Sequence, residues 1–173
     1  MGGSDAERLT CFWAKSDAGG QPHSLIAHLL DAAAVAELIW DHYLSPKVRR
    51  QLDGAAAGRG RDLFVLLASW HDLGKATPAF QIQNGHPTST PSRLKEAGLK
   101  AMQSARRWPH QDASALISIQ AFSDSLITSW HWLPPLLAGH HGKFGGVVSA
   151  ASRQLHGDEV WREGLGHDPG DEG

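Results

Sequence analysis

A chain of 173 residues that is 41% apolar is long enough for one domain with a hydrophobic core and too short for two comfortable ones. The single cysteine, Cys11, excludes an intramolecular disulfide and a thiolate metal site, and it fits a reducing, cytoplasmic setting. The polar start over residues 1–5 and the lack of 18 consecutive apolar residues predict neither a secretion signal nor a membrane segment.

The net charge of −2 hides an uneven distribution. Six of the 18 acidic residues follow Arg153, so residues 1–153 carry 15 basic and 12 acidic side chains, a net charge of +3. Such an excess is compatible with a polyanionic substrate but does not demonstrate one, because scattered surface lysine and arginine are ordinary. The count of 11 histidines is more unusual and directs attention to metal sites.

The first predicted elements are a lead-in and a helix. Residues 1–21 are polar and glycine-containing, so we expect them to be largely irregular. From Ser24 to Leu44 apolar residues recur every three or four positions, which predicts an amphipathic helix with His28 on its apolar face. Pro46 ends this helix, and a short helix over 47–52 precedes a glycine-rich connector.

A central helix is predicted from Asp62 to about Asp72. Its run from Leu63 to Trp70 is almost continuously apolar, so we expect the helix to be surrounded by the others. Gly74 follows at the position where a helix end often requires a glycine with positive φ. His71 and Asp72 end the helix, and a carboxylate in an apolar setting is costly unless a cation or an ion pair neutralises it. A His-Asp pair that merely caps the helix is the alternative.

The rest of the chain is predicted to contain helices separated by loops. In order these are a turn or helix at 78–81, a loop at 84–91, a basic amphipathic segment at 92–107, a helix from about 110 to 130, a break at Pro134 and Pro135, and a short helix at 147–155. No segment alternates with period two between hairpin turns, so the predicted fold class is all-α. The domain organisation is a lead-in at 1–21, one helical domain at 22–156 and an acidic, disordered tail at 157–173.

Metal-competent side chains lie at or beside several of these helices. They are His28, His71, Asp72, His110, His140 and His141. Imidazole and carboxylate without thiolate suit iron, manganese, cobalt, nickel or zinc, and a bridging carboxylate favours a two-metal centre. The gaps of 43, 39 and 30 residues between the successive histidine positions match no local metal motif, so spacing alone leaves these roles open. The other histidines are interpreted as surface or packing residues.

The order H…H-D-x-G-K…H…H-H resembles the HD-domain superfamily of metal-dependent phosphohydrolases. Three segments, at 25–31, 71–81 and 139–142, resemble the HD nuclease domain of the type I CRISPR-associated nuclease-helicase. The similarity covers roughly residues 10–155, and neither a P-loop nor a helicase domain accompanies it. The resemblance implies an HD-domain helical bundle with a dinuclear centre that cuts single-stranded DNA.

The resemblance also implies a role for each candidate residue. His28 and His71 would bind one metal, and Asp72 would bridge both. The second metal would take its ligands from three downstream histidines, His110, His140 and His141. Lys75 would lie near the scissile phosphate, where it and Asp72 are the catalytic candidates. Two divalent transition metal ions, with iron, manganese, cobalt and nickel favoured, would activate a shared water as hydroxide and neutralise the phosphate during in-line displacement.

Three functions remain open at this stage. The first is a DNA nuclease of CRISPR interference that acts with a separate helicase and a guide-RNA surveillance complex. The second is an HD phosphohydrolase acting on a nucleotide, although minimal enzymes of that type manage without the additional histidines. The third is a truncated, inactive fragment that only binds partners. Its support is that the family supplies a further aspartate well downstream of the His-His pair, whereas 32 residues follow His141 here.

Overall fold

Helices form the body of the domain. The computed structural model describes residues 9–16, 20–83, 91–96, 98, 108–123 and 132–142. In chain order its elements are strands β1 (Trp13–Ser16) and β2 (Pro22–Ser24), helices α1 (Leu25–His42), α2 (Pro46–Ala55) and α3 (Gly60–Trp70), a 3-10 turn (Leu73–Ala76), helices α4 (Pro78–Gln83), α5 (Pro91–Glu96), α6 (His110–Ser123) and α7 (Leu133–Ala138), and a second 3-10 turn (Gly139–His141). The predicted all-α class is confirmed. None of the described helices is long and apolar enough to cross a membrane.

Helix α1 begins where its sequence supplies a cap. The Ser24 hydroxyl accepts a hydrogen bond from the Ala27 N–H at 3.3 Å and satisfies one of the free amide groups of the first turn. The predicted apolar face is confirmed, since Leu25 and Ala36 on it are buried. The opposite side exposes apolar residues as well, with Leu30 63% accessible to solvent.

Helix α3 packs against α1 and α2 and touches α7. Arg61 joins it to α1 through hydrogen bonds of 3.0 Å to Glu37 and 3.4 Å to Asp41. Every residue from Leu63 to Trp70 is half-buried and none is fully buried, so the predicted burial of α3 is only partial. An apolar run in a sequence does not reveal how completely the neighbours of a helix cover it.

Gly74 is needed for close packing. Positive φ occurs at Gly20, Gly58, Gly98 and Gly142 among the described glycines, so its prediction at Gly74 is wrong. A Cβ at Gly74 would overlap the His110 carbonyl oxygen and lie 2.5 Å from the Ser114 nitrogen. The lack of a side chain therefore lets the segment after α3 touch the first turn of α6.

The structure has regular elements at two places where the sequence predicts irregular structure or a break. Strand β1 lies within the segment expected to be irregular and pairs antiparallel with β2, with an irregularity between Trp13 and Lys15. Strands of four and three residues are too short for a period-two pattern to stand out. Pro134 and Pro135 lie in the first turn of α7, where a missing N–H costs nothing, so the predicted break is followed at once by a new helix.

Five predictions fall wholly or mostly on residues outside the described ranges. They concern the loop at 84–91, the basic segment at 92–107, the end of the helix expected to reach residue 130, the helix at 147–155 and the acidic tail.

The main core cluster lies beside the 3-10 turn that follows α3. Its buried members are Ala79, Phe80, Trp108, Ala113 and Leu116, with Trp13 and Ile119 packed against them. A buried amide joins this cluster to β1. Gln81 donates to the carbonyl oxygens of Trp13 at 3.0 Å and Lys75 at 2.6 Å, and it accepts from the Trp13 N–H at 3.1 Å. The Gln81 side chain thus holds β1 against the turn that carries Lys75.

Replacing Gln81 by leucine should destabilise the fold. The substitution keeps the volume but removes three hydrogen bonds, each of which contributes about 0.5–1.5 kcal/mol, so we expect the free energy of unfolding to fall by roughly 2–4 kcal/mol. Urea denaturation followed by circular dichroism measures the change. Gln51→Leu, at an exposed position on α2, is the control and should change stability little. Equal stability of the two variants would contradict the role given to Gln81.

Candidate metal centre

The six candidate ligands come from separate parts of the chain and meet in one place. His28 lies in α1, His71 and Asp72 follow α3, His110 begins α6, and His140 and His141 lie in the 3-10 turn after α7. Among the described residues they form two groups of three. Within each group, the potential ligand atoms all lie within 4.8 Å of one another. We call His28, His71 and Asp72 the first ligand group, and His110, His140 and His141 the second.

Asp72 lies between the two groups. Its Oδ2 atom is 2.9 Å from His28 Nε2 and 3.2 Å from His71 Nε2. Its Oδ1 atom is 3.2 Å from His110 Nε2 and 3.6 Å from His140 Nε2. These distances show that each oxygen of the carboxylate faces a different group of imidazoles. The carboxylate itself is buried.

The second group is compact. The Nε2 atoms of His110 and His141 lie 3.0 Å apart, and the rings of His140 and His141 have centroids 4.2 Å apart. The His71 ring contacts the His140 ring edge-on, with 5.4 Å between centroids. The imidazoles of the two groups thus form one continuous cluster.

Backbone carbonyls orient two of the rings. His71 donates from Nδ1 to the Ala68 oxygen at 2.7 Å, and His140 donates from Nδ1 to the Leu137 oxygen at 2.6 Å. A proton held on Nδ1 leaves the Nε2 lone pair of each neutral ring directed into the cluster. The buried Nε2 of His140 has no hydrogen-bond partner among the described residues. Both rings therefore present the atom that a metal would bind.

Burial and hydrogen bonding shift the acid–base equilibria in different directions. Burial lowers the pKa of His28 and of His140, whereas the hydrogen bond to Asp72 raises the pKa of His71. Burial opposes ionisation of Asp72, but hydrogen bonds from His110, His71 and Lys75 hold the pKa of that carboxyl far below its usual range. Asp72 is thus a buried carboxylate anion.

The chemistry of the donors suits a metal ion. Nitrogen lone pairs and a carboxylate oxygen that point at one another repel unless a proton or a cation lies between them. The donor set of imidazole nitrogen and carboxylate oxygen is the one that borderline transition metals prefer. The described residues could therefore hold divalent metal.

Lys75 lies in the wall of the cluster. Its Nζ atom is 2.7 Å from Asp72 Oδ2 and 3.2 Å from the Ala14 carbonyl oxygen, and it lies 5.6 Å from the centroid of the Phe80 ring. The side chain is largely buried, at 14% exposure. Its predicted place near a scissile phosphate stays a prediction.

Two further residues near the cluster did not emerge from the sequence as functional. His23, interpreted as a surface or packing residue, pairs with Asp31 at 3.0 Å and lies edge-on to His28 with 6.2 Å between ring centroids. The Ser114 hydroxyl lies 3.0 Å from the carbonyl oxygens of both His71 and His110 and can donate to either. The signal for Ser114 was its spacing, since it lies four residues after His110 and thus on the same face of α6.

The opposite pKa shifts should be visible in the metal-free protein. In an NMR titration of the imidazole protons, we expect the midpoint of His71 above its ordinary value of 6.5 and those of His28 and His140 below it. Asp72→Asn removes the anion and should move the His71 midpoint downward. Asp62→Asn, at an exposed position in α3, should leave all three unchanged. A His71 midpoint that does not respond to Asp72→Asn would contradict the assigned cause.

Known proteins include relatives of this chain. Residues 13–167 match the model of the family described as Cas3, HD domain. A relative in Streptococcus thermophilus, named CRISPR-associated nuclease/helicase Cas3, is 29% identical over an alignment of 135 residues that covers 69% of this chain and 14% of the relative. No solved structure matches the chain significantly. The chain, with its H-D pair and its ordered histidines, belongs to the Cas3 HD-domain family.

Proposed function

We propose that this chain is a metal-dependent nuclease domain that cleaves single-stranded DNA during CRISPR interference. The observation that carries the proposal is the position of Asp72, which directs one carboxylate oxygen at each of two imidazole groups. A carboxylate shared in this way is the arrangement expected for a two-metal phosphodiesterase. The name of the Streptococcus relative, a nuclease/helicase, supports the reaction class.

The proposed ligands are the six residues of the two groups. His28 and His71 would bind the first metal, the second ligand group would bind the second, and Asp72 would bridge them. Bound divalent cations would lower the pKa of a bound water. They would also neutralise the negative charge on the phosphate and on the leaving oxygen. Iron, manganese, cobalt and nickel are the proposed metals, because the described donors include no thiolate.

Backbone and side-chain groups of the chain prepare the proposed ligand atoms to bind metal. The carbonyl oxygens of Ala68 and Leu137 keep the Nδ1 proton of their histidines away from the cluster, so each Nε2 stays available. The burial of Asp72 keeps water from its oxygens and strengthens its attraction for cations. Lys75 balances part of the negative charge and places one more cationic group at the edge of the cluster.

The proposed substrate is a DNA strand that other proteins have made single-stranded. The relative is named a nuclease/helicase, and we propose that this domain has the nuclease activity. A separate helicase and a guide-RNA surveillance complex would expose the strand. The excess of basic side chains over residues 1–153 supports a polyanionic substrate.

Removing Asp72 tests the function directly. With Mn²⁺, Co²⁺ or Ni²⁺ the purified protein should cleave single-stranded DNA, and EDTA should abolish cleavage. Asp72→Ala should lose both metals and reduce cleavage at least ~1,000-fold, because several kcal/mol of transition-state stabilisation disappears. Metal content by mass spectrometry and cleavage of a labelled oligonucleotide measure both effects, and circular dichroism should report retained helix.

Asp62→Ala, an exposed acid on α3, is the matched control and should retain metal and activity. Unchanged metal stoichiometry in Asp72→Ala would refute the bridging role. Nucleotide hydrolysis without DNA cleavage would favour the HD phosphohydrolase, and bound metal with neither activity would favour a fragment that only binds partners.

Metal affinity should rise with pH. Because its pKa is raised, His71 retains a proton to higher pH than an ordinary histidine, and a metal must displace that proton. The apparent affinity for Co²⁺ should therefore increase with pH up to the raised pKa of His71 and level off above it, with protons released on binding. His28 and His140 lose their protons at lower pH than an ordinary histidine does, since burial lowers their pKa values. Calorimetry in buffers of different ionisation enthalpy counts the protons, and a pH-independent affinity would contradict the prediction.

A further inference from the structure

The two ligand groups lie on different parts of the chain, so the separation between them depends on contacts outside the ligands. His71 and Asp72 follow α3, whereas His110 begins α6. The backbone of these two segments meets where the Gly74 turn touches the first turn of α6. The geometry of this contact fixes where the first group lies relative to the second.

One buried hydroxyl spans this contact. Ser114 Oγ accepts a hydrogen bond from the Gly74 N–H at 2.7 Å. The same oxygen lies 3.0 Å from the carbonyl oxygen of His71 and 3.0 Å from that of His110. A hydroxyl has one proton, so it can donate to one of these carbonyls at a time. Both carbonyls belong to residues that we assign as metal ligands, one from each group.

The fit around this hydroxyl is tight. Ser114 has no exposed surface, and a Cβ at Gly74 would lie 2.9 Å from the Ala113 Cβ and would overlap the His110 carbonyl oxygen. The segments can approach this closely because Gly74 has no side chain. The close approach buries the Gly74 N–H, which donates its hydrogen bond to the Ser114 hydroxyl. Displacing either segment would break at least one of these hydrogen bonds.

We infer that Ser114 is a positioning residue of the metal centre, which holds the first and second ligand groups at a fixed separation through the backbones of His71, Gly74 and His110. This inference rests on the proposed function. Ser114 touches neither a ligand atom nor the substrate in this role. It acts by fixing the position of the histidines. Groups that do not bind a metal themselves commonly orient its ligands in this way.

Ser118 provides a matched control on the same helix. It lies one turn after Ser114, is equally buried, and bonds the Ala115 carbonyl of α6 at 2.7 Å. Ser118→Ala thus deletes a buried hydroxyl and a hydrogen bond from the same helix. That hydrogen bond stays within α6 and does not connect the ligand groups.

Cobalt binding separates positioning from stability. In Ser114→Ala we expect the affinity for Co²⁺ to fall roughly 10- to 100-fold, the usual cost of losing a group that orients metal ligands. We also expect an altered visible spectrum of the bound Co²⁺ and faster hydrogen exchange at the Gly74 amide. Ser118→Ala should keep the wild-type affinity and spectrum even if urea denaturation shows a similar loss of stability. Should Ser114→Ala not fold, Ser114→Cys adds no heavy atom and replaces the hydroxyl by a weaker hydrogen-bonding group, so its Co²⁺ affinity should still fall below that of the wild type, and an unchanged affinity would contradict the positioning role.

The outcomes distinguish the two proposals. Equal Co²⁺ affinity and spectra in Ser114→Ala and Ser118→Ala would overturn the positioning role and leave the metal centre intact. Two bound Co²⁺ ions in the wild type without DNA cleavage would overturn the nuclease, while a selective loss in Ser114→Ala would still support the positioning role. A wild-type chain that binds no Co²⁺ would overturn both.

Discussion

The structure depends on one buried carboxylate surrounded by imidazoles. An isolated Asp72 anion would be very unfavourable among apolar residues, and it is ionised because histidines and Lys75 donate to it. The dependence is mutual, since the imidazoles have their nitrogens directed at one another and at Asp72. Without the anion, His110 and His141 would place two nitrogens 3.0 Å apart with no neighbouring negative charge. The cluster is therefore a set of groups that compensate one another.

The candidate ligands come from helix ends and tight turns, with His28 in the first turn of α1. Asp72 lies between α3 and a 3-10 turn, His110 begins α6, and the His140-His141 pair follows α7 in another 3-10 turn. Regular helix would point consecutive residues in directions about 100° apart. A turn allows neighbouring side chains such as His140 and His141 to face the same centre, with ring centroids 4.2 Å apart. The helices act as supports that bring four such places together.

The sequence predicted much of the fold and the identity of the cluster residues, while it could not predict how they are held. The extent of α1 and the start of α6 follow from caps, periodicity and proline. The order of the histidines indicated one site, although gaps of tens of residues carry no geometric information by themselves. The role of Gly74 was misassigned because a glycine after a helix commonly adopts positive φ, whereas here it serves a contact with α6, 36 residues later in the chain. Such contacts depend on tertiary packing, as does the partial exposure of α3.

Buried polar side chains fix the register of the elements around this site, which the apolar core alone does not. Within the described part of the chain, a core cluster lies beside the 3-10 turn after α3. Dispersion and hydrophobic burial hold such elements together without fixing their register to a fraction of an ångström. Gln81 and Ser114 do fix register, because each bonds backbone groups from two separate segments and each is fully buried. A displaced partner would leave a buried polar group unsatisfied, which costs about 1–3 kcal/mol. That asymmetry makes a displaced arrangement of the ligand-bearing turns unfavourable even before any metal binds.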